Sequence, residues 1–174
     1  MAQTLWITDA EEKDVPQITT LVNAAYRGES SKKGWTTEAD LLDGIRTDEE
    51  NIKMMVRKKD AMIKLCRDDD KNLIGCVYLE KQKDEMYLGM LTVDPAKQDK
   101  GIGKMLLQAS EKYAMEQGAS AIVMSVISVR TELIEWYQRH GYQKTGAVKP
   151  FPDDTRFGVP KQFLEFLVLR KVLS

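Results

Sequence analysis

Residues 91–110 read LTVDPAKQDKGIGKMLLQAS. A β-rich run stops at Asp94-Pro95, because proline lacks the N–H that a strand ladder needs. A polar loop follows. Beyond it, Ile102, Met105, Leu106, Ala109, Tyr113 and Ala114 fall on one face at helical spacing. The helix therefore starts directly out of a loop that holds Gly101, Gly103, Lys100 and Lys104. A helix start leaves backbone N–H groups without partners and carries a partial positive charge. Where the preceding loop lacks side chains, the oxygens of an anion reach those amides closely. Two glycines supply access and two lysines supply charge, so the loop reads as a phosphate cradle. On these residues alone, a tight strand-to-helix turn accounts for the glycines equally well.

Spacing excludes two phosphate loops. A Walker A loop needs Gly, four residues, then Gly-Lys-Ser/Thr; here Gly103-Lys104 is followed by Met105, and Gln98 stands where the first glycine belongs. A dinucleotide fingerprint needs Gly-x-Gly-x-x-Gly, and its third glycine position is Leu106.

Upstream of the stretch, residues 61–67, 73–79 and 86–93 are short β-rich runs separated by DDDKN and EKQKDE, the pattern of an antiparallel meander. Before them, residues 5–8 predict a strand. Asp14, Val15 and Pro16 open a helix carrying Ile18, Leu21, Val22 and Ala25. Thr37 is the expected cap of a helix containing Leu41, Leu42 and Ile45, and Thr47 with Glu50 has the spacing of a capping box. Downstream, Gly118 is expected to stop the helix of the opening stretch. Residues 121–127 predict a buried strand. Ser128 is the expected cap of a helix with Leu133, Trp136, Tyr137 and His140 on its stripe, ended by Gly141. YQKTG predicts a strand, a Pro-rich loop follows, and FLEFLVLRKVL predicts the last strand.

Composition narrows the function. The chain has 174 residues, 43% of them hydrophobic and 30% charged, with a formal net charge of -1, so any anion site must be local rather than a property of the whole surface. No apolar run is long enough to span a bilayer, and the N-terminus lacks the basic-then-apolar order of a signal peptide. The expectation is a cytoplasmic protein, with no membrane and no nucleic-acid partner. Cys66 and Cys76 lie inside strand-like runs without metal-ligand spacing, which predicts buried, reduced thiols and no metal site.

Gln98-Asp99-Lys100-Gly101-Ile102-Gly103 fits the pattern Q/R-x-x-G-x-G/A, and through it the chain resembles the GNAT superfamily of acetyl-CoA-dependent N-acetyltransferases. The flanks extend the resemblance. Leu91-Thr92-Val93-Asp94-Pro95 is similar to the family's strand ending. Tyr137-Gln138-Arg139-His140-Gly141-Tyr142 is similar to its Tyr-x-x-x-Gly-Phe/Tyr ending, and Ala25-Tyr26 to the end of its first helix. The resemblance implies one N-acetyltransferase domain over residues 1–174 of mixed α/β (α+β) class. It implies a mostly antiparallel central sheet of about seven strands, splayed in the middle, with helices on both faces. It also implies acetyl-CoA as cofactor. The pyrophosphate would lie on the amides of Asp99, Lys100, Gly101, Ile102, Gly103 and Lys104, in a loop shaped by Gln98. The pantetheine arm would pair with the strand at Leu91-Thr92-Val93, chiefly through Leu91 and Val93. A backbone N–H near Val93 would polarise the thioester carbonyl, and Tyr137 would protonate the leaving thiolate. Without the resemblance, Tyr137 reads as core packing on an apolar stripe; Trp136 and His140 keep that reading.

Two positions depart from the family's pattern. Arg130 stands where many members carry an asparagine on the pantetheine arm, and an arginine there can reach a phosphate or an acidic group instead. Tyr87 stands where some members carry a glutamate base, which leaves Glu38, Glu85, Glu132 or a water chain as base. The acceptor pocket is expected between two long connections. One carries Tyr26, Arg27, Trp35 and Glu38; the other, residues 150–160, carries Phe151, Asp153, Asp154 and Arg156. Carboxylates there would favour a cationic amine such as a polyamine or a peptide N-terminus. Arginines would favour an acceptor with its own carboxylate, and the sequence offers both. The implied function is acetylation of a primary amine, small molecule or peptide, by direct attack in a ternary complex. A non-catalytic acyl-CoA-sensing module and a nucleotide binder unrelated to CoA are the other readings. The oligomer, monomer or homodimer, is left open.

Overall fold

The computed structural model describes residues 4–27, 42–97, 101–152 and 158–174. Trp35, Glu38, Gln98, Asp99, Lys100 and Arg156 lie outside the described residues. The elements run β1 (Trp6–Asp9), α1 (Val15–Tyr26), β2 (Leu42–Asp43), α2 (Glu49–Arg57), β3 (Ala61–Arg67), β4 (Leu73–Gln82) and β5 (Glu85–Val93). They continue with α3 (Ile102–Glu116), β6 (Ala121–Ile127), α4 (Thr131–Arg139), β7 (Gln143–Pro150), β8 (Val159–Pro160) and β9 (Glu165–Val172). Seven strands form one sheet in the order β1-β3-β4-β5-β6-β9-β7. Its pairings are antiparallel except β5 with β6, which is parallel, as the mixed α/β reading with a mostly antiparallel sheet requires.

Each face of the sheet has its own core. Ile18, Leu21, Val22 and Ala25 of α1 and Ile52 of α2 pack on Ile63, Leu65, Cys76 and Tyr78. On the other face, Ile102, Leu106 and Leu107 of α3 and Leu133, Ile134 and Tyr137 of α4 pack on Ile74, Val77, Leu79 and Ile122. Helices thus cover both faces. Gly75 fixes how closely α3 sits: a Cβ there would lie 2.9 Å from Leu106 Cδ1 and 3.0 Å from Ile102 Cγ2. Cys66 and Cys76 are free and buried in opposite cores. Burial pushes their thiols up to about 11 and about 12, so neither is a nucleophile near neutrality.

Three local expectations need correction. Leu42 and Ile45 are not helical: Leu42 starts the two-residue β2, Gly44 takes φ 93°, and Ile45 is exposed. The left-handed turn at Gly44 is incompatible with a helix running through it; Thr37 and Leu41 lie outside the described residues. Asp48, not Thr47, caps α2, its carboxylate accepting from Asn51 N–H at 2.8 Å, while Thr47 Oγ1 accepts from Asn51 Nδ2. A carboxylate complements the helix N-terminus better than a hydroxyl does. Ser128 does not cap α4; the helix starts at Thr131, and the Ser128 N–H donates to Glu165 O. Gly118 and Gly141 end their helices with φ 78° and 95°, as expected of αL stops.

Candidate active site

The site is built around an irregularity in β5. Along this strand Met86 and Leu88 enter the α3/α4 core, Met90 the α1/α2 core, and Leu91 and Val93 the α3/α4 core again. Strict alternation would keep Met90 with Leu88, so the strand changes parity between them. The ladder shows how. Cys76 faces Thr92 but Tyr78 faces Gly89, leaving Met90 and Leu91 opposite Val77. Met90 takes φ 55°. This is a β-bulge, which bends the strand and re-aims its side chains. Gly89 belongs to the same device, because a Cβ there would lie 2.9 Å from the Tyr87 ring.

On its other edge β5 pairs with β6 only from Glu85–Tyr87 to Ala121–Val123. Beyond that the strands part, and β6 continues to pair with β9 through Ile127. Leu88–Leu91 and Met124–Ile127 line the two sides of the resulting cavity, of about 570 Å³. Tyr137 closes part of its wall, together with Tyr26, Tyr87 and Phe151. The Tyr26 hydroxyl donates to Leu91 O and ties the end of α1 to the bulge. Tyr137 is 5% exposed and meets Trp136 and Tyr142 edge-on, with ring centroids 5.1 and 5.8 Å away. Burial pushes its phenol far above the ordinary tyrosine range, with the Arg130 guanidinium pulling weakly the other way. The phenol is thus a held proton: neutral at any physiological pH, with a cation nearby for the phenolate it would leave. Tyr87 is likewise pushed up by burial, and Arg46 opposes the shift. Trp136 and His140 keep a packing role, with ring centroids 4.4 Å apart and His140 Nδ1 2.8 Å from Trp136 O.

At the start of α3, Gly101 is the N-cap with φ 77°, and a Cβ there would meet nothing within 4 Å among the described residues. Among those residues, the space over this helix start is open. Ile102 contributes only backbone to it, since its side chain is 2% exposed in the core, while Lys104 is exposed. At Gly103 a Cβ would lie 3.4 Å from Trp136 Cζ2 and 3.8 Å from Val93 Cγ2. So Gly103 sits in ordinary contact with the end of β5 and with α4, and Thr92 and Val93 lie on this side, beyond the residues that line the cavity.

The α1–α2 connection and the connection before β9 meet through the antiparallel ladder of β2 with β8, Leu42 opposite Pro160 and Asp43 opposite Val159; residues 28–38 and 153–157 of the stretches expected to line the acceptor pocket lie outside the described residues. Of the expected acceptor residues, Tyr26, Arg27 and Phe151 line the cavity. Arg27 is buried and donates to Ile45 O at 3.1 Å, which holds the α1–α2 connection in place. Phe151 stacks on Phe166, centroids 5.4 Å apart. Two of the candidate bases lie elsewhere: Glu85 pairs with Arg170 at 2.6 Å, Glu132 is exposed on α4, and neither lines the cavity. Sequence reasoning missed Arg46 and Lys149, which do line it. No motif surrounds either residue, and only the meeting of distant segments puts them together. Among the described residues no group of three or more His, Cys, Asp or Glu could hold a metal ion, and no helix is long and apolar enough to cross a membrane.

Comparison with known proteins agrees with this geometry. The chain is 25% identical over 122 residues to human N-acetyltransferase 8B, a match covering 67% of this chain and 53% of that protein, so it spans about half the length of this relative. The structure of the ribosomal-protein-S18-alanine N-acetyltransferase of Escherichia coli superposes with a TM-score of 0.74 at 15% identity, covering 98% of this chain and 95% of that one. The PaiA N-acetyltransferase of Thermoplasma acidophilum, solved in complex with coenzyme A, superposes with a TM-score of 0.70 at 17% identity, covering 97% and 99%. Both share the overall fold. Residues 16–142 match the family described as "Acetyltransferase (GNAT) family", and the chain belongs to that family.

Proposed function

We propose that this protein is an N-acetyltransferase that moves an acetyl group from acetyl-CoA to a primary amine, of a small molecule or a peptide, by direct attack within a ternary complex. One observation carries the reading: the parting of β5 from β6, with the buried Tyr137 phenol in the wall of the cavity it opens. Bound acetyl-CoA would supply the electrophilic thioester and its thiolate leaving group. The residues fit such a ligand. The N–H and C=O groups of β5 beyond Tyr87 have no ladder partner on β6, which suits an extended arm added in the manner of a strand. Open space over Gly101 and the amides at the start of α3 suit its phosphates.

The chain's own groups then divide the work. A backbone N–H of the bulged segment holds the oxyanion that develops on the carbonyl. Tyr137 gives its proton to the leaving sulfur, and the Arg130 charge steadies the phenolate. The amine must arrive uncharged. Glu85 and Glu132 do not line the cavity, which leaves Glu38 or water leading to solvent to take its proton.

Replacing Tyr137 with phenylalanine removes the proton and little else. Tyr137→Phe is expected to lower kcat by about 10² to 10⁴-fold, the usual worth of a general acid, while leaving acetyl-CoA affinity unchanged. Because burial raises the Tyr137 phenol, it stays protonated past the ordinary tyrosine value of about 10, so kcat should show no falling limb from this group below that pH. Steady-state rates with calorimetric binding check both. A variant that turns over like the wild type removes the acid assignment and favours a binding module.

A further inference from the structure

Resting on the acetyl-transfer reading above, the charge of the cavity narrows the acceptor. Among the described residues that line it, Arg27, Arg46, Arg130 and Lys149 are cationic and none is a carboxylate. Two of the four already have work: Arg27 braces the connection at Ile45, and Arg130 lies 6.0 Å from the Tyr26 ring centroid with its charge acting on the Tyr137 phenol. Arg46 and Lys149 differ. Arg46 comes from the α1–α2 connection just after β2, Lys149 from the end of β7, so each belongs to one of the two connections that the β2–β8 ladder draws together. Neither forms an ion pair with any described carboxylate. Arg46 is half-buried, its guanidinium 5.4 Å from the centroid of the Tyr26 ring, and both residues line the cavity. Partly desolvating a guanidinium without a carboxylate is costly unless a ligand anion completes it. The apolar pair Phe151 and Phe166 lines the same region, so the bound molecule is to be gripped by a charge at one point and by packing elsewhere.

We propose that the acceptor is a small amine that also carries an anionic group, a carboxylate or a phosphate, bound by Arg46 and Lys149, and that the cavity rejects polycationic amines. The same charges serve the chemistry. Positive groups near an amine disfavour its ammonium form, which lowers the demand on a general base in a cavity whose described lining has none.

Matched acceptors test this. An aromatic α-amino acid, its amide and its decarboxylated amine differ only in the anion; O-phosphoethanolamine against ethanolamine separates phosphate from carboxylate; spermidine is the polycation. A charge-assisted contact is worth roughly tenfold to a hundredfold, so kcat/KM for an anionic acceptor should exceed that of its uncharged partner by at least about tenfold. The ratio should collapse toward one in Arg46→Met, which keeps the bulk over Tyr26, and fall in Lys149→Gln, whose exposed position cannot disturb the core. Calorimetric binding of acetyl-CoA should be unchanged in both. Amides or spermidine acetylated as well as the anionic acceptors, or ratios unmoved in both variants, overturn the proposal. If acetyl-CoA does not bind the wild type, the acetyl-transfer reading fails. The anion preference is then read separately, from direct calorimetric binding of the N-acetyl amino acid against its amide: tighter binding of the acid supports it, and equal binding overturns it.

Discussion

At the α3 end of the gap, the proposed recognition rests on the backbone; at the end lined by Arg46 and Lys149, it rests on side chains. The start of α3 offers amides, an αL glycine and open space. The other end offers Arg46, Lys149 and the stacked pair Phe151 and Phe166, with Arg46 more than a hundred residues away from the rest in sequence. A backbone site needs only that residues stay small and the helix stay in register, so it suits the invariant phosphates of a cofactor. A side-chain site changes its ligand when one residue changes, so it suits the part of the reaction that differs among relatives. The bulge at Met90–Leu91 lies between them, and the Tyr26 hydroxyl holds it from the acceptor side.

Two substitutions at the backbone end test that contrast most sharply. Gly101→Glu puts a carboxylate into the open space over the helix start, where phosphate oxygens would lie. It should weaken acetyl-CoA binding by about a hundredfold or more, the loss of one or two charge-assisted contacts, with repulsion added. The fold should survive, since a Cβ there meets no described protein atom within 4 Å and the left-handed φ costs only about 1–2 kcal/mol. Normal affinity in this variant would mean that the backbone end binds no phosphate. Gly103→Ala should do almost nothing: its Cβ enters ordinary contact with Trp136 and Val93, at the second helical residue. Affinity should hold, and thermal stability should stay level or rise by up to about 1 kcal/mol, because alanine is the better helix former. A large loss of affinity at Gly103 would make it, too, a residue that phosphate must approach, and the division of labour between the two glycines would be wrong. Side-by-side titrations of the two variants with acetyl-CoA decide the matter.

The backbone end was legible in the sequence and the side-chain end was not, for a physical reason. The strands at 61–67 and 121–127 take the predicted bounds because apolar runs there end at turn residues: Asp68, Asp69 and Asp70 after the first, Ser128 after the second. The glycine at the start of α3 was readable because glycine, helix start and charge are neighbours in the chain. The ladder of β2 with β8 has two residues on each side, too few for any period, and Gly44 broke a helix that hydrophobic spacing had suggested. Nothing local distinguishes Arg46 in the sequence; its place is set by the Tyr26 ring it lies beside. The parity change in β5 was present in Leu88-Gly89-Met90-Leu91, where apolar residues become adjacent, and it is the local signal that could have located the bulge.

The central claim is that the gap between β5 and β6 binds acetyl-CoA, and thermal unfolding with and without that ligand tests it most directly. At about a hundred times its dissociation constant a ligand stabilises the folded state by about 2.7 kcal/mol, which for a chain of this size is a rise in Tm of roughly 5 to 10 °C. The account predicts that rise with acetyl-CoA and none with ATP or NAD. An unchanged Tm at millimolar acetyl-CoA, or an equal rise with all three, would contradict it.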